Sequence, residues 1–468
     1  MKKIVILVSL IFVLLPNPAM AQQAVDNFVS DPSLTHASIG IYMTNIKTGE
    51  TIAAYDEQKA ITPASTIKLI TSATALQLLG GAYRTYTTVR YSGTIDEKGI
   101  LHGDLIIRGG GDPSLGSAFG SRGPNDFIDQ VAWSIRSSHI KAIDGNIIVD
   151  NSLFNDYFPT SPKWMMEDVI WYYGTGCHAF SYRDNRLDIE VKYNGREYEI
   201  TNIKPANLFQ IETDLSKGEE ENIVVQNTGN RYTLSGTIPQ QKNRYRLSLA
   251  VARPDSIFIH ELSDRLQRLG ITINHRGYET SANRETTLFR YPSDSLAYLV
   301  RSLNKRSDNL YAESVLRLLS ISSGTKGNCR EGIGQIRRYW QSCGADSLGL
   351  FMYDGSGLAR NNKVSAKYLA RVLEIAAQEP QAGDIFVNSL PLVGKEGSVA
   401  TFMRNNKLPG ELRLKSGSMS DIHAYAGYYT TPQNRYAIVI MVNNYNSSRA
   451  QLKQKMATLL NTLLSKKE

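Results

Sequence analysis

The chain has 468 residues, 42% apolar and 21% charged, with 52 Lys and Arg against 44 Asp and Glu and a formal charge of +8. That balance excludes disordered, collagen-like and coiled-coil proteins, and a single long apolar run excludes a multi-spanning membrane protein. The basic excess permits an anionic partner without naming one, and three Cys exclude a dense disulfide framework.

The apolar run comes first. Lys2 and Lys3 precede the uncharged stretch Ile4–Leu15, and Pro16, Pro18 and Ala19-Met20-Ala21 follow. A positive start, an apolar segment and an A-x-A site form the pattern of a cleavable secretory signal. The segment is too short to span about 30 Å of hydrocarbon, so an uncleaved anchor is the weaker alternative. Gln22, not Cys, stands directly after Ala21, which argues against a lipid anchor. Cleavage after Ala21 removes two lysines and no acids, leaving 447 residues and a charge of +6.

Residues Ser38–Tyr55 alternate apolar and polar on both sides of Lys47-Thr48-Gly49-Glu50, which predicts a hairpin. Thr62 and Pro63 read as an N-cap and first-turn proline. An apolar stretch from Ile67 to Leu79, stopped at Gly80-Gly81, predicts a buried helix. From about Tyr91 to Tyr278 the texture changes to short alternating runs separated by Gly, Asn and Pro, which predicts a β-rich region. From Ser295 onward helical periodicity returns. Two strands appear near the end, around Tyr425 and from Tyr436 to Val442, and a final helix is expected over Arg449–Leu464. A length of 468 residues at roughly 150 per domain suggests about three units. The three Cys are Cys177, Cys329 and Cys343. A predicted helix separates Cys329 from Cys343 by roughly 21 Å, beyond disulfide reach, so buried free thiols are expected.

Several catalytic patterns are missing. His260-Glu261 is followed by Asp264 where a zinc helix needs His, there is no G-x-S-x-G elbow and no P-loop, and the seven His show no metal spacing. No cofactor and no nucleic-acid partner is expected. What remains is Ser65-Thr66-Ile67-Lys68 at the start of the first helix. Positions i and i+3 share a helix face. A lysine amine beside a serine hydroxyl can therefore activate it, provided its pKa is lowered. Alone the motif is weak, since Ser138/Lys141, Ser302/Lys305 and Ser323/Lys326 match it too. Ser307-Asp308-Asn309 lies between two helical stretches, where a helix N-cap is the plainer reading. Lys415-Ser416-Gly417-Ser418 follows a plausible strand, while Lys47-Thr48-Gly49 matches the same pattern at the hairpin tip.

Order and context make the three decisive together: a Ser-Lys pair opening a helix, Ser and Asn on a loop, and Lys on a late strand. This is the S-x-x-K, S-D-N, K-[ST]-G set of penicillin-binding proteins and serine β-lactamases, with Ser416 in place of Thr. The chain resembles the penicillin-binding protein 4 type of D-alanyl-D-alanine carboxypeptidase/endopeptidase. The likeness extends to Asn304–Asn309 with Ala312-Glu313, to Tyr353-Asp354-Gly355-Ser356-Gly357-Leu358-Ala359-Arg360, to Gly397-Ser398-Val399 with Arg404, and to Gly111-Asp112-Pro113.

The resemblance implies an α+β, multi-domain protein: a serine β-lactamase-like catalytic domain with an antiparallel sheet and helices, carrying a nested β-rich insert. The expected division is a signal at 1–21, a catalytic domain of 22–90 and 291–468, and an insert at 91–290. Within the insert, 91–185 and 248–290 form an outer unit and 186–247 an inner one. It implies Ser65 as nucleophile, Lys68 as its base, Ser307 and Asn309 as proton relay and amide holder, and Lys415, Ser416, Gly417 and Ser418 around the substrate's terminal carboxylate. Arg360 is implied to meet a side-chain carboxylate of the substrate, and Asp150 its amine. Partners are then peptidoglycan stem peptides in the periplasm or cell envelope, with β-lactams as covalent inhibitors and the oligomeric state left open. Two rivals stand beside this reading. A class A β-lactamase would need an E-x-x-x-N stretch, which Glu190–Asn194 matches by letters but inside a predicted strand. A non-catalytic penicillin-binding sensor would be free to lose Ser65 or Lys68, yet both are present.

Overall fold

The hairpin forms where it is expected. Ser38–Asn45 pairs antiparallel with Thr51–Tyr55, and its other edge pairs with Arg435–Asn443. Ile422–Thr430 and Glu411–Met419 complete a five-stranded, wholly antiparallel sheet. These contacts come from a computed structural model that describes residues 18–274 and 285–465. Strand Arg435–Asn443 is covered on both faces, which explains its unbroken apolar run. Ile438, Ile440 and Val442 point to one face and Val439 and Met441 to the other, as the two-residue period of a strand requires.

Helices cover both faces. On one side, Lys68–Leu79, Leu296–Arg306, Asn309–Ile321, Cys329–Ser342 and Ala366–Gln378 pack Ile70, Leu76, Leu303, Val315, Trp340 and Leu369 against Ala424, Val439 and Met441. On the other, Pro18–Val29 and Arg449–Leu464 bring Val25, Leu452, Met456 and Leu460 onto Ile39, Ile41 and Ile438. The expected leader lies outside the described residues up to position 17. Its expected cleavage point, after Ala21, falls in the first turn of helix Pro18–Val29. No described helix is long and apolar enough to cross a membrane.

A third core is drawn from residues between Val89 and Tyr291. A mixed sheet orders Glu285–Pro292, Tyr86–Ser92, Leu105–Arg108 and Ile147–Asp150, and two three-stranded sheets occupy 186–250. This stretch is less purely β than its alternating runs suggest. Helices Asp126–Ser137 and Pro254–Arg268 run through it. Phe127, Ile128, Val131 and Ile135, and Ile257, Phe258, Leu262 and Leu266, recur at helical spacing. The two helices meet through Phe127 and Phe258, with ring centroids 5.4 Å apart. The expected run to Tyr278 passes beyond residue 274, outside the described residues.

All three Cys are free thiols; Cys177 is buried, while Cys329 and Cys343, at the two ends of helix Cys329–Ser342, are only partly covered.

Candidate active site

The Ser-Lys pair does not open an ordinary α-helix. Ala64–Ile67 is a 3-10 turn, and the α-helix begins at Lys68 and stops at Gly80. With three residues per turn, positions i and i+3 eclipse one another, so Lys68 stands directly over Ser65. Its Nζ donates to Ser65 Oγ at 2.9 Å. The expected cap is displaced: Pro63 holds the cap position with no side-chain bond, and the Thr62 hydroxyl instead accepts from Lys363 and donates to the Arg360 carbonyl.

Two further elements close on the same amine. Lys68 Nζ donates to Asn309 Oδ1 at 2.6 Å and to the carbonyl oxygen of Ser356. The Ser-Asp-Asn stretch does two jobs at once. Ser307 ends helix Leu296–Arg306 in the left-handed conformation (φ 60°, ψ 37°), and Asp308 caps helix Asn309–Ile321 by accepting from the Tyr311 N–H. The N-cap reading therefore belongs to Asp308 alone. Ser307 and Asn309, on either side of it, each meet one of two buried lysines.

The second lysine is Lys415, on the edge strand Glu411–Met419. Its Nζ donates to Ser307 Oγ at 2.7 Å and to the Ser416 carbonyl at 2.6 Å. The strand lies against the start of the nucleophile turn so closely that a Cβ on Gly417 would sit 2.5 Å from the Pro63 carbonyl and 3.1 Å from the Ser65 nitrogen. Only glycine allows that approach. On the far side, Gly357 (φ +85°) passes the Ala64 carbonyl, where a Cβ would come within 2.1 Å. Ser416 Oγ donates to Ser398 Oγ at 2.7 Å.

Both lysines are fully buried. Burial disfavours the charged amine and pulls Lys68 down to about 8, against the opposing pull of Asp354, Asp308 and Glu313. Lys415 is held well below its ordinary range by burial and then by the charge of Lys68. A lysine lowered in this way carries a substantial neutral fraction near neutral pH, and a neutral amine within hydrogen-bond reach of a serine can take its proton.

The cavity over these groups has a volume of about 530 Å³ and is lined by Ser65, Ser307, Asn309, Leu358, Arg360 and Ser418, with Glu167, Asp168, Trp171 and Tyr173 facing them.

The model of the D-Ala-D-Ala carboxypeptidase 3 (S13) family matches residues 21–463. The chain belongs to that family. It is 25% identical to the D-alanyl-D-alanine carboxypeptidase of Actinomadura sp. (strain R39), over 92% of this chain and 82% of that protein. The crystal structure of penicillin-binding protein 4 from Haemophilus influenzae superposes with a TM-score of 0.80 at 24% identity, covering 94% of this chain and 99% of that one. The same protein complexed with a β-lactam superposes with a TM-score of 0.75 at 23% identity and the same coverage. At that identity the solved structures establish the fold.

The motif residues of this S13 member come together as their order in the chain predicts, and Arg360 joins them on the wall. Its Nε is buried without a hydrogen-bond partner among the described residues. Asp150 does not join them. It sits at the end of strand Ile147–Asp150, where its carboxylate accepts from Arg108 Nε at 2.8 Å and from the Ser152 N–H at 2.8 Å. Burial raises its pKa, but the bonds from Ser152 and Arg108 outweigh this and hold it below its ordinary range. Its negative charge is already matched, and it does not line the cavity. The acids that do are Glu167 and Asp168. Burial lifts Asp168 above its ordinary range, opposed by a hydrogen bond from Tyr173 and the charge of Arg360.

The wall these acids occupy escaped the reading of the sequence. Tyr173 lies in a 3-10 turn, and its carbonyl accepts from Asn309 Nδ2 at 2.7 Å. The only signal was the density of aromatic and Met residues from Trp164 to Tyr173, four of which remain well exposed. The β-lactamase-like Glu190 is on strand Arg186–Tyr193, 3.5 Å from Arg246, in a different region of the molecule.

A buried network holds the Ser356 carbonyl in place. Asp354 accepts from the Gly357 and Ala359 N–H groups, from Asn362 and from the Trp164 indole. Glu313 accepts from the Gly355 and Ser356 N–H groups at 2.9 Å each. Arg317 bonds Glu313 at 3.1 Å and Asp156 at 2.6 Å. The sequence marked Glu313 and Asp354 only as parts of family-like stretches. Removing one partner of a buried pair leaves the other charge uncompensated, which costs about 3–5 kcal/mol. Arg317→Met is therefore expected to lower the urea midpoint by that amount of stability while leaving Ser65 and Lys415 in place. A midpoint unchanged from wild type would show that the network carries no such energy.

Proposed function

We propose that the chain hydrolyses the D-Ala-D-Ala bond of peptidoglycan stem peptides through an acyl-enzyme on Ser65, and that it also cleaves D-Ala–diaminopimelate cross-links. The observation that carries this is the pairing of two buried lysines with two hydroxyls in one cavity: Lys68 on Ser65, and Lys415 on Ser307.

Neutral Lys68 takes the Ser65 proton as Ser65 Oγ attacks the carbonyl between the two D-Ala residues. The backbone N–H groups of Ser65 and Ser418 face the developing oxyanion, a contribution of roughly 3–4 kcal/mol per donor. The Ser307 hydroxyl, held by Lys415, relays to the leaving amine the proton that Lys68 took, so that Lys68 is neutral again as the C–N bond breaks. Asn309 holds the substrate amide, and Lys415 with the hydroxyls of Ser416 and Ser418 binds the terminal carboxylate. Water then adds to the acyl ester, Ser65 leaves and recovers its proton, and the shortened peptide departs. A β-lactam presents a strained amide in place of the peptide bond and stops at the ester.

A diaminopimelate side chain carries both a carboxylate and an amine. Arg360 suits the first. For the second, the support in the cavity is Asp168 and Glu167 rather than Asp150. The division into a catalytic unit of 22–90 and 291–468 and an insert of 91–290 belongs to the same reading. It is supported by the two cores that flank the five-stranded sheet and the separate core between Val89 and Tyr291. Export to the periplasm by removal of residues 1–21 is supported by their charge and apolar pattern.

The test is incubation of the purified mature protein with cross-linked muropeptides and identification of the products by mass. Loss of a terminal D-Ala marks the carboxypeptidase reaction, and conversion of dimers to monomers marks the endopeptidase reaction. Intact substrates alongside rapid turnover of penicillin would overturn the proposal in favour of a β-lactamase.

A further inference from the structure

One polar side chain behind the carboxylate wall has no part in these steps. His423 lies directly opposite Ser418 in the register between strands Glu411–Met419 and Ile422–Thr430. Its Nδ1 is 3.1 Å from Ser418 Oγ. The residue is 4% exposed, and its ring packs edge-on against Tyr425 with centroids 4.8 Å apart. Its Nε2 is buried and has no hydrogen-bond partner among the described residues.

That asymmetry selects a tautomer. A neutral imidazole carries one proton, on Nδ1 or on Nε2. On Nε2 it would be a buried N–H with no acceptor, a rarer and less tolerable defect than an unused lone pair. On Nδ1 it has an acceptor in Ser418. A second proton is opposed by burial first and then by Lys453 and Arg449 of helix Arg449–Leu464, so the ring's pKa falls to about 4. The strand on the other side, Arg435–Asn443, places Val442 opposite His423 and adds no charge. The ring therefore stays neutral and donates from Nδ1 to Ser418 Oγ.

A serine oxygen that accepts from behind keeps its own hydrogen free to turn forward, and Ser418 lines the cavity. The opposite tautomer would draw that hydrogen back into the ring and present only lone pairs to an anion. We propose that His423 is a positioning residue that fixes the Ser418 hydroxyl as a donor to the terminal carboxylate, and so sets the preference for peptides with a free C-terminus. This rests on the carboxylate site of Lys415, Ser416 and Ser418 proposed above.

The experiment compares acylation of wild type, His423→Phe and His423→Asn by an N-acylated peptide ending in D-Ala-D-Ala and by its C-terminal carboxamide. Phenylalanine fills the same space without a donor; asparagine restores an N–H beside Ser418. Wild type is expected to prefer the carboxylate. In His423→Phe that preference shrinks roughly tenfold or more, the worth of one hydrogen bond to a charged group. The loss falls on KM for the carboxylate peptide, the carboxamide rate is unchanged, and His423→Asn recovers most of it. An undiminished preference in His423→Phe overturns the proposal and leaves the carboxylate site standing. An equal fall for both peptides reduces His423 to a packing role and also overturns it. A wild type with no preference between the peptides overturns the carboxylate site itself.

Discussion

Ser65→Ala is expected to abolish covalent labelling by penicillin and to lower the turnover of D-Ala-D-Ala peptides by roughly 10⁶-fold, the scale seen when a serine nucleophile is removed. The structure isolates the effect to chemistry. Among the described residues the Ser65 hydroxyl takes a side-chain hydrogen bond from Lys68 alone, and the side chain is half-buried in the cavity wall. On its loss Lys68 keeps two of its three acceptors, Asn309 Oδ1 and the Ser356 carbonyl, and the third N–H faces the open cavity. The variant should therefore fold with an unchanged urea midpoint and still bind substrate, since Lys415, Ser416 and Ser418 are untouched. Peptide mapping of the wild type after reaction with labelled penicillin should place the adduct on Ser65. An adduct on Ser307 or Ser418, or a Ser65→Ala protein that still labels, would remove Ser65 from the centre of the mechanism.

The motif residues were legible in the sequence because each is placed by local structure: a turn opening a helix, the junction of two helices, and a strand following a tight bend. Their convergence was not legible from any of them singly. Lys68 and Asn309 are separated by 241 positions and Ser307 and Lys415 by 108, and the chance copies illustrate the point. Lys305, in one of the stray S-x-x-K matches, ends in an ion pair with Glu396. What stayed hidden has physical reasons. The Ser356 carbonyl is a backbone group with no sequence signature, fixed by Asp354 and Glu313, whose letters look like any other acid. The wall from Trp164 to Tyr173 has no helical or strand period for a pattern to find. Asp150 was implied by the family resemblance, but Arg108, its direct register partner on the neighbouring strand, holds its carboxylate. Helices Asp126–Ser137 and Pro254–Arg268 were the opposite case. Their periodicity was present, and the many alternating runs around them obscured it.

Lys68→Ala is expected to slow acylation by roughly 10²–10⁴-fold, the range for loss of a positioned general base, and the pH dependence of the wild type should identify the same group. The base is the neutral amine. With its pKa drawn down to about 8, the acylation rate should rise about tenfold per pH unit below that value and level off above it. Burial is the largest cause of the shift, and Asp354, Asp308 and Glu313 oppose it by favouring the charged form. Neutralising one of these acids should therefore remove part of that opposition and add to the lowering by burial. In Glu313→Gln the amide oxygen still accepts from the Gly355 and Ser356 N–H groups, but the negative charge is gone. The amine then loses its proton more easily, and the inflection shifts to lower pH. The stability of the fold follows the same proton. An unfolded lysine titrates near 10.5 and the folded one near 8, so the unfolded chain binds more protons between these values and stability rises with pH across that window. Lys68→Met removes this contribution, so subtracting its urea midpoints from those of the wild type isolates it from other titrating groups. That difference should grow in favour of the wild type from pH 8 to 10.5. A flat difference, with an acylation profile that does not respond to Glu313→Gln, would mean that Lys68 keeps its proton and that another group takes the one from Ser65.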